Sequence, residues 1–204
     1  MRNRFKIILS IIFVLILLAL IILLTLSFKP ENTKKEYKVL DSIKDYDYTL
    51  RDRDYELTKN IFSSLKDVLN EDEVDYELYA EYLSKLFIVD LFTLDNKENK
   101  YDVGGIDYVY NEIKDNYRLN VEDTLYKYII DKNSEDRETL SIVSKIEKTN
   151  SENTTYVYNN KEYNAYKINL SWDYEKDMGY PKNGEIILIK DNKKLYVVSY
   201  KGVE

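Results

Sequence analysis

From Ile7 to Phe28 the chain runs through 22 residues of which only Ser10, Thr25 and Ser27 are polar, with no charge, proline or glycine. At about 1.5 Å per residue, a helix of that length reaches roughly 33 Å, against a bilayer hydrocarbon core of roughly 30 Å. Lipid offers the backbone no hydrogen-bond partners, so a segment of this kind must satisfy its own polar groups, and a helix is the expectation. Arg2, Arg4 and Lys6 precede the run with no acid among them, while Lys29, Lys34 and Lys35 follow it diluted by Glu31 and Glu36. The denser positive flank predicts a cytoplasmic N-terminus and a translocated body. A cleaved signal peptide would have an apolar core of about 7–15 residues and a small-residue cleavage site. Thr25-Leu-Ser-Phe-Lys-Pro30 is a poor site of that kind, and no cysteine follows to carry a lipid. The expected layout is a cytoplasmic tail over 1–6, an uncleaved transmembrane helix over 7–28, a juxtamembrane linker over 29–49 and one extracytoplasmic domain over 50–204. The lipid bilayer is then the first partner, reached through residues 7–28, and the cell membrane is the expected location.

Composition narrows what the body can do. Residues 29–204 hold 27 bases against 37 acids, a net of −10. So acidic a domain repels phosphate backbones, which argues against nucleic acid as a partner. Histidine is absent, which removes Ser-His-Asp and Cys-His chemistry, His-ligated metals and the side chain that titrates near neutral pH. Cysteine is absent too, so stability must come from packing without disulfides. The 21 tyrosines, with abundant Ile, Lys, Asn, Asp and Glu, match the codon bias of an A+T-rich bacterial genome.

Periodicity predicts helices first and strands afterwards. Leu57, Ile61, Leu65, Val68 and Leu69 recur at steps of three and four, an amphipathic helix with Asp52 or Asp54 as its expected cap. A second helix is expected from about Asp75 to Leu94; its last turns, Leu86–Phe92, are apolar nearly all round, which indicates burial on more than one side. Short helical pieces are expected over Ile106–Ile113 and Val121–Ile130, the latter capped by Asn120. From Glu138 the period becomes two, with Leu140, Ile142, Ser144 and Ile146 on one face. A polar gap follows, then a hairpin of Thr154–Tyr158 and Glu162–Tyr174 in which Tyr166, Ile168, Leu170 and Trp172 share a face. Met178–Gly184 is a turn cluster, and Glu185–Lys190 with Leu195–Lys201 make a second hairpin. The predicted fold class is α+β: a helical half packed on a four-or-so-stranded antiparallel sheet, behind an N-terminal transmembrane helix.

Candidate site residues are few. The clusters Asp45/Asp47/Asp52/Asp54 and Glu71/Asp72/Glu73/Asp75 fall between elements, where water and helix caps account for acids. Asp90 stands alone among Leu86-Phe-Ile-Val89 and Leu91-Phe92. Its carboxylate is either bonded at the edge of the buried face or lines a cavity. Tyr101-Asp-Val-Gly-Gly105 places two of only five glycines side by side. Backbone freedom for a turn is the favoured reading; the other is a close-approach surface in which Tyr101, Gly104, Gly105 and Tyr108 contact a partner. The oxygen-rich loops Asp95–Asp102 and Asp131–Asp136 lack calcium-loop spacing and carry lysines. Aromatic stacking on sugars is a further use for tyrosine, but most of the tyrosines fall on helix stripes and strand faces, where packing accounts for them. No catalytic, cofactor-binding or metal-binding residue is expected.

A short basic tail, one span, a linker, a helical half and an antiparallel sheet together resemble the VirB8-like proteins of secretion and conjugation machines, whose extracytoplasmic domain has the NTF2-like fold. The resemblance lies in architecture over residues 1–204 and in no motif. It implies a scaffold in the bacterial envelope that assembles with other envelope proteins and has no catalytic residues to carry over. The alternative is a tethered, cavity-bearing NTF2-like domain that binds a ligand or acts as an enzyme through Asp90 and tyrosines. Self-association through an exposed strand edge or through the span is compatible with either.

Overall fold

The computed structural model describes residues 14–20 and 37–203. Residues 14–20 are helical. The rest of the expected span lies outside the described residues, among which no helix is long and apolar enough to cross a membrane. The chain divides into two compact units, Met1–Lys34 and Lys35–Glu204.

The second unit is α+β. A small hairpin, β1 (Val39–Ile43) and β2 (Tyr48–Arg51), leads into helices α1 (Glu56–Leu69) and α2 (Tyr76–Phe92). Single 3-10 turns at Ile106–Tyr108 and Asn111–Ile113 precede α3 (Lys114–Asp123). Strands β3 (Val143–Tyr158), β4 (Lys161–Tyr174), β5 (Asn183–Asp191) and β6 (Lys194–Val203) then form an antiparallel meander in the order β3-β4-β5-β6. The second unit thus includes this hairpin, ahead of residue 50. Ile43, Tyr46, Tyr48 and Leu50 are all buried, and these anchors draw the charged segment around them into the fold.

Helix α2 is the centre of the molecule. Leu83, Leu86, Phe87, Ile88, Val89, Leu91 and Phe92 are between 0 and 2% exposed, as an all-round apolar helix requires. It packs against α1 and touches all four strands of the meander. Asp75 caps it, accepting hydrogen bonds from the backbone N–H of Glu77 (2.9 Å) and Leu78 (3.1 Å), which satisfies two of the helix's unpaired donors. Helix α1 buries Ile61, Phe62, Leu65 and Leu69 on one stripe. Its expected aspartate cap does not form. Tyr55 occupies the cap position without a side-chain bond, and Asp54 instead accepts from the Arg51 N–H at 2.7 Å.

The β3–β4 hairpin turns on Asn159 and Asn160, with φ of 48° and 60°, the two positive φ values of a type I′ turn. Strand β3 is continuous for 16 residues, where a polar gap was expected. Its polar middle is carried by backbone pairing to β4 and broken only by irregularities between Val143 and Lys145 and between Lys148 and Asn150. The first of these resets the inward face: Val143 and Ile146 are buried while Ser144 is exposed. Glu81 on α2 ties helix to sheet by pairing with Lys85 and with Lys148 of β3, both at 2.6 Å.

The short helices are also placed differently from expectation. α3 ends where the second was to begin, so Asn120 lies inside it, and Thr124 Oγ1 donates to the Asn120 carbonyl at 2.6 Å. Buried Val121 and Tyr126 then hold a turn, joined by Tyr126 N–H to the Val121 carbonyl at 2.9 Å. Before α3 the chain crosses the β6 edge through a parallel bridge, Val109 to Val197. Tyr110 thereby reaches a second apolar cluster with Tyr163, Ala165 and Ile189, flanked by Tyr156, Tyr158 and Tyr196.

Candidate functional site

The sequence candidates converge on the C-terminal end of α2. Asp90 lies in its last turn, and a carboxylate among buried apolar residues must find partners or give up its charge. It finds three. Lys97, whose side chain is fully buried, pairs with Oδ1. The Gly105 N–H donates to Oδ2 at 2.7 Å, and the Arg53 charge adds to the attraction. Burial opposes ionisation of Asp90, but the Lys97 and Arg53 charges and the hydrogen bonds from Lys97 and Gly105 outweigh it and hold the carboxyl below the usual carboxylate range.

The paired glycines fit against this helix end. Gly104 N–H donates to the Tyr126 hydroxyl at 3.2 Å, and the Gly104 carbonyl accepts from the Tyr117 hydroxyl at 2.7 Å. The Tyr126 hydroxyl in turn donates to the Leu91 carbonyl at 2.8 Å. Gly105 has a φ of 74°, and a Cβ there would meet the Phe87 ring and the Tyr117 hydroxyl at 2.8 Å. Both the turn requirement and the close approach are therefore internal to the domain. Of the four residues, Gly104, Gly105 and Tyr108 are buried and Tyr101 is exposed.

A second polar layer sits outside the first. Arg53 pairs with Asp102, which also accepts from the Glu98 N–H at 3.0 Å. The Arg53 guanidinium lies 4.2 Å from the centre of the Tyr37 ring, and the Tyr37 hydroxyl donates to Glu98. Burial and the Glu98 carboxylate push the Tyr37 hydroxyl up to about 12. Burial, with the nearby Asp90 charge, pushes Tyr108, Tyr117 and Tyr126 well above the ordinary tyrosine range, so all three stay protonated.

This arrangement is poor at catalysis. A general acid or base near neutral pH needs a carboxyl raised by an apolar pocket, whereas Asp90 is lowered and fully engaged. Two shallow depressions of about 260 and 290 Å³ lie elsewhere, one lined by Lys145, Trp172, Asp173 and Lys182, the other by Asp95, Lys132, Ser134 and Arg137. Among the described residues no group of three or more acidic side chains is placed to hold a metal ion. Both Asp90 carboxylate oxygens have partners, Lys97 on Oδ1 and the Gly105 N–H on Oδ2.

Sequence reasoning missed Lys97, Arg53, Asp102 and Tyr126. Each sits in a polar or weakly periodic stretch, and only the isolation of Asp90 signalled that a cation had to reach it. Comparison with protein-family models, curated proteins and solved structures finds no match.

Proposed function

We propose that the chain is a single-pass membrane protein of the bacterial envelope, its N-terminus cytoplasmic, presenting an extracytoplasmic binding or scaffolding domain. The observation that carries this reading is the uncharged run of 22 residues beside Arg2, Arg4 and Lys6, joined by a short connector to an independent compact body. A scaffold is favoured over an enzyme because the one isolated acid is neutralised by Lys97 and the Tyr117 and Tyr126 hydroxyls are spent on backbone carbonyls. Membership in a secretion- or conjugation-like assembly and an NTF2-like classification rest on element order alone: helices, then an antiparallel meander.

The absence of cysteine makes the test direct. A single Cys is introduced at exposed Glu135 (E135C) or at Asn3 (N3C), and intact cells are treated with a membrane-impermeant maleimide. E135C is expected to label in intact cells, and N3C only after lysis. Labelling of E135C that also requires lysis, or release of the chain by alkaline carbonate, would overturn the reading. Crosslinking in intact cells is then expected to join the domain to other envelope proteins.

A further inference from the structure

The described body begins at Tyr37, and the polar contacts there identify which end of the domain the tether enters. Tyr37 donates to Glu98. The Glu98 carbonyl accepts from the Lys132 N–H at 2.7 Å and from the Arg137 guanidinium at 3.4 Å. Arg137 also donates to the Ile130 carbonyl at 2.8 Å. Loop 98–101 and segment 128–132 are thus clamped together beside the point where the chain enters.

These two segments carry large exposed side chains. Tyr128 is 81% exposed, and Tyr101 and Ile130 are each 47% exposed. Val39 and Leu40, two and three residues beyond Tyr37, are about half exposed as well. Single exposed apolar side chains need no explanation, but Tyr101, Tyr128 and Ile130 sit on two segments joined by the Lys132–Glu98 backbone bond, which does call for one. Lysines stand among them: Lys100 lies 4.8 Å from the Tyr101 ring centre and Lys127 5.3 Å from that of Tyr128, and exposed Lys132 follows in the same segment. Aromatic rings interleaved with lysines are the chemistry of the membrane–water interface, where rings sit among headgroups and lysine stems reach past them to phosphate.

We propose that this surface, built from Tyr101, Tyr128 and Ile130 with Lys100, Lys127 and Lys132, rests on the headgroup layer of the membrane that anchors the chain. The proposal depends on the tethered reading above. Eight residues, 29–36, separate Phe28 from Tyr37, and a fully extended chain of that length spans at most roughly 29 Å. The anchored bilayer is therefore always within reach of this end of the domain, at a concentration no soluble partner matches. Asp131 and Glu98 lie among the lysines, so the electrostatic contribution is small and the apolar side chains dominate.

The test uses the full chain reconstituted into phosphatidylethanolamine–phosphatidylglycerol vesicles. An environment-sensitive fluorophore is attached at Y128C or, as a second position, K132C, and at V157C at the tip of the β3–β4 hairpin. A headgroup spin-labelled lipid serves as quencher. Quenching at 128 and 132 several-fold above that at 157 is expected, and Ile130→Asp in the Y128C background is expected to reduce it towards the 157 value. Equal quenching at all three positions in vesicle-bound protein would overturn the membrane-resting surface while leaving the anchor intact. Failure of the protein to float with vesicles would overturn both. Quenching at 128 that disappears as protein is diluted into excess lipid would identify a second copy as the occupant and overturn the proposal.

Discussion

Gly104 stands so close to Asp90 that a Cβ built on it would lie 2.0 Å from the Asp90 carbonyl oxygen and 2.6 Å from its carbon. The obstacle is helix backbone, which cannot rotate away as a side chain would. Gly104→Ala must therefore push loop 98–105 off the end of α2, separating the Gly105 N–H from the Asp90 carboxylate. Overpacking of a tight site costs typically about 1–3 kcal/mol, and here a charge-assisted hydrogen bond is lost as well. Urea denaturation is expected to show a loss of about 3 kcal/mol or more, with the neighbouring Val103→Ala milder.

Lys97→Met should be the most damaging change of a single charge in the domain. It leaves Asp90 ionised in an apolar setting with only the Gly105 N–H and the more distant Arg53. Breaking a buried pair from one side costs about 3–5 kcal/mol, whereas replacing both partners by apolar groups of similar shape is often neutral. The double variant Asp90→Leu with Lys97→Met is expected to recover much of the loss in the same denaturation experiment. Additive losses would show that the pair is not the unit that matters.

Acid sensitivity follows from the same carboxylate. Its folded-state pKa lies below the unfolded value, so its contribution is present above that unfolded value, about 3.9, and fades as pH falls through the folded one. Asp41, held down by its hydrogen bond with Lys66, and Glu81, whose burial is outweighed by Lys148 and Lys85, behave in the same direction. Stability measured against pH should be flat through neutrality and fall below about pH 4. Asp90→Asn should start lower at neutral pH, fall less steeply and approach the parent curve in acid.

Tyr79→Phe tests a hydroxyl rather than a charge. The Tyr79 oxygen accepts the Leu195 N–H at 3.2 Å and lies 2.7 Å from the Tyr48 hydroxyl, which also reaches the Leu195 carbonyl at 3.2 Å. Removing it strands a buried donor where the β1–β2 hairpin, α2 and the start of β6 meet, and such a donor costs about 1–3 kcal/mol. Hydrogen exchange at Leu195 is expected to accelerate in the variant, along with lower global stability.

Some of this was legible in the residues. Steps of three and four from Leu57 to Leu69 and the all-round apolar run Leu86–Phe92 gave both long helices, because each pattern has one way to hide from water. Ile168, Leu170 and Trp172 marked an inward strand face for the same reason. The bulges of β3 were not legible, since a single extra residue reverses every face beyond it and leaves no trace in composition. Nor was the Asp90–Lys97 pair. Seven positions apart, the two residues lie on opposite sides of a helix end, and only the turn at Leu94–Lys97 brings the ammonium back.

Local pattern alone determined the α+β class, the order of helices before strands, the exclusion of histidine and cysteine chemistry, and the expectation of a membrane span, because each depends on residue type and short-range period. Tertiary structure decided where the isolated acid finds its cation and why two adjacent glycines are required. Those outcomes depend on contacts between segments far apart in the chain, where what meets is set by the packing of α2 against the sheet.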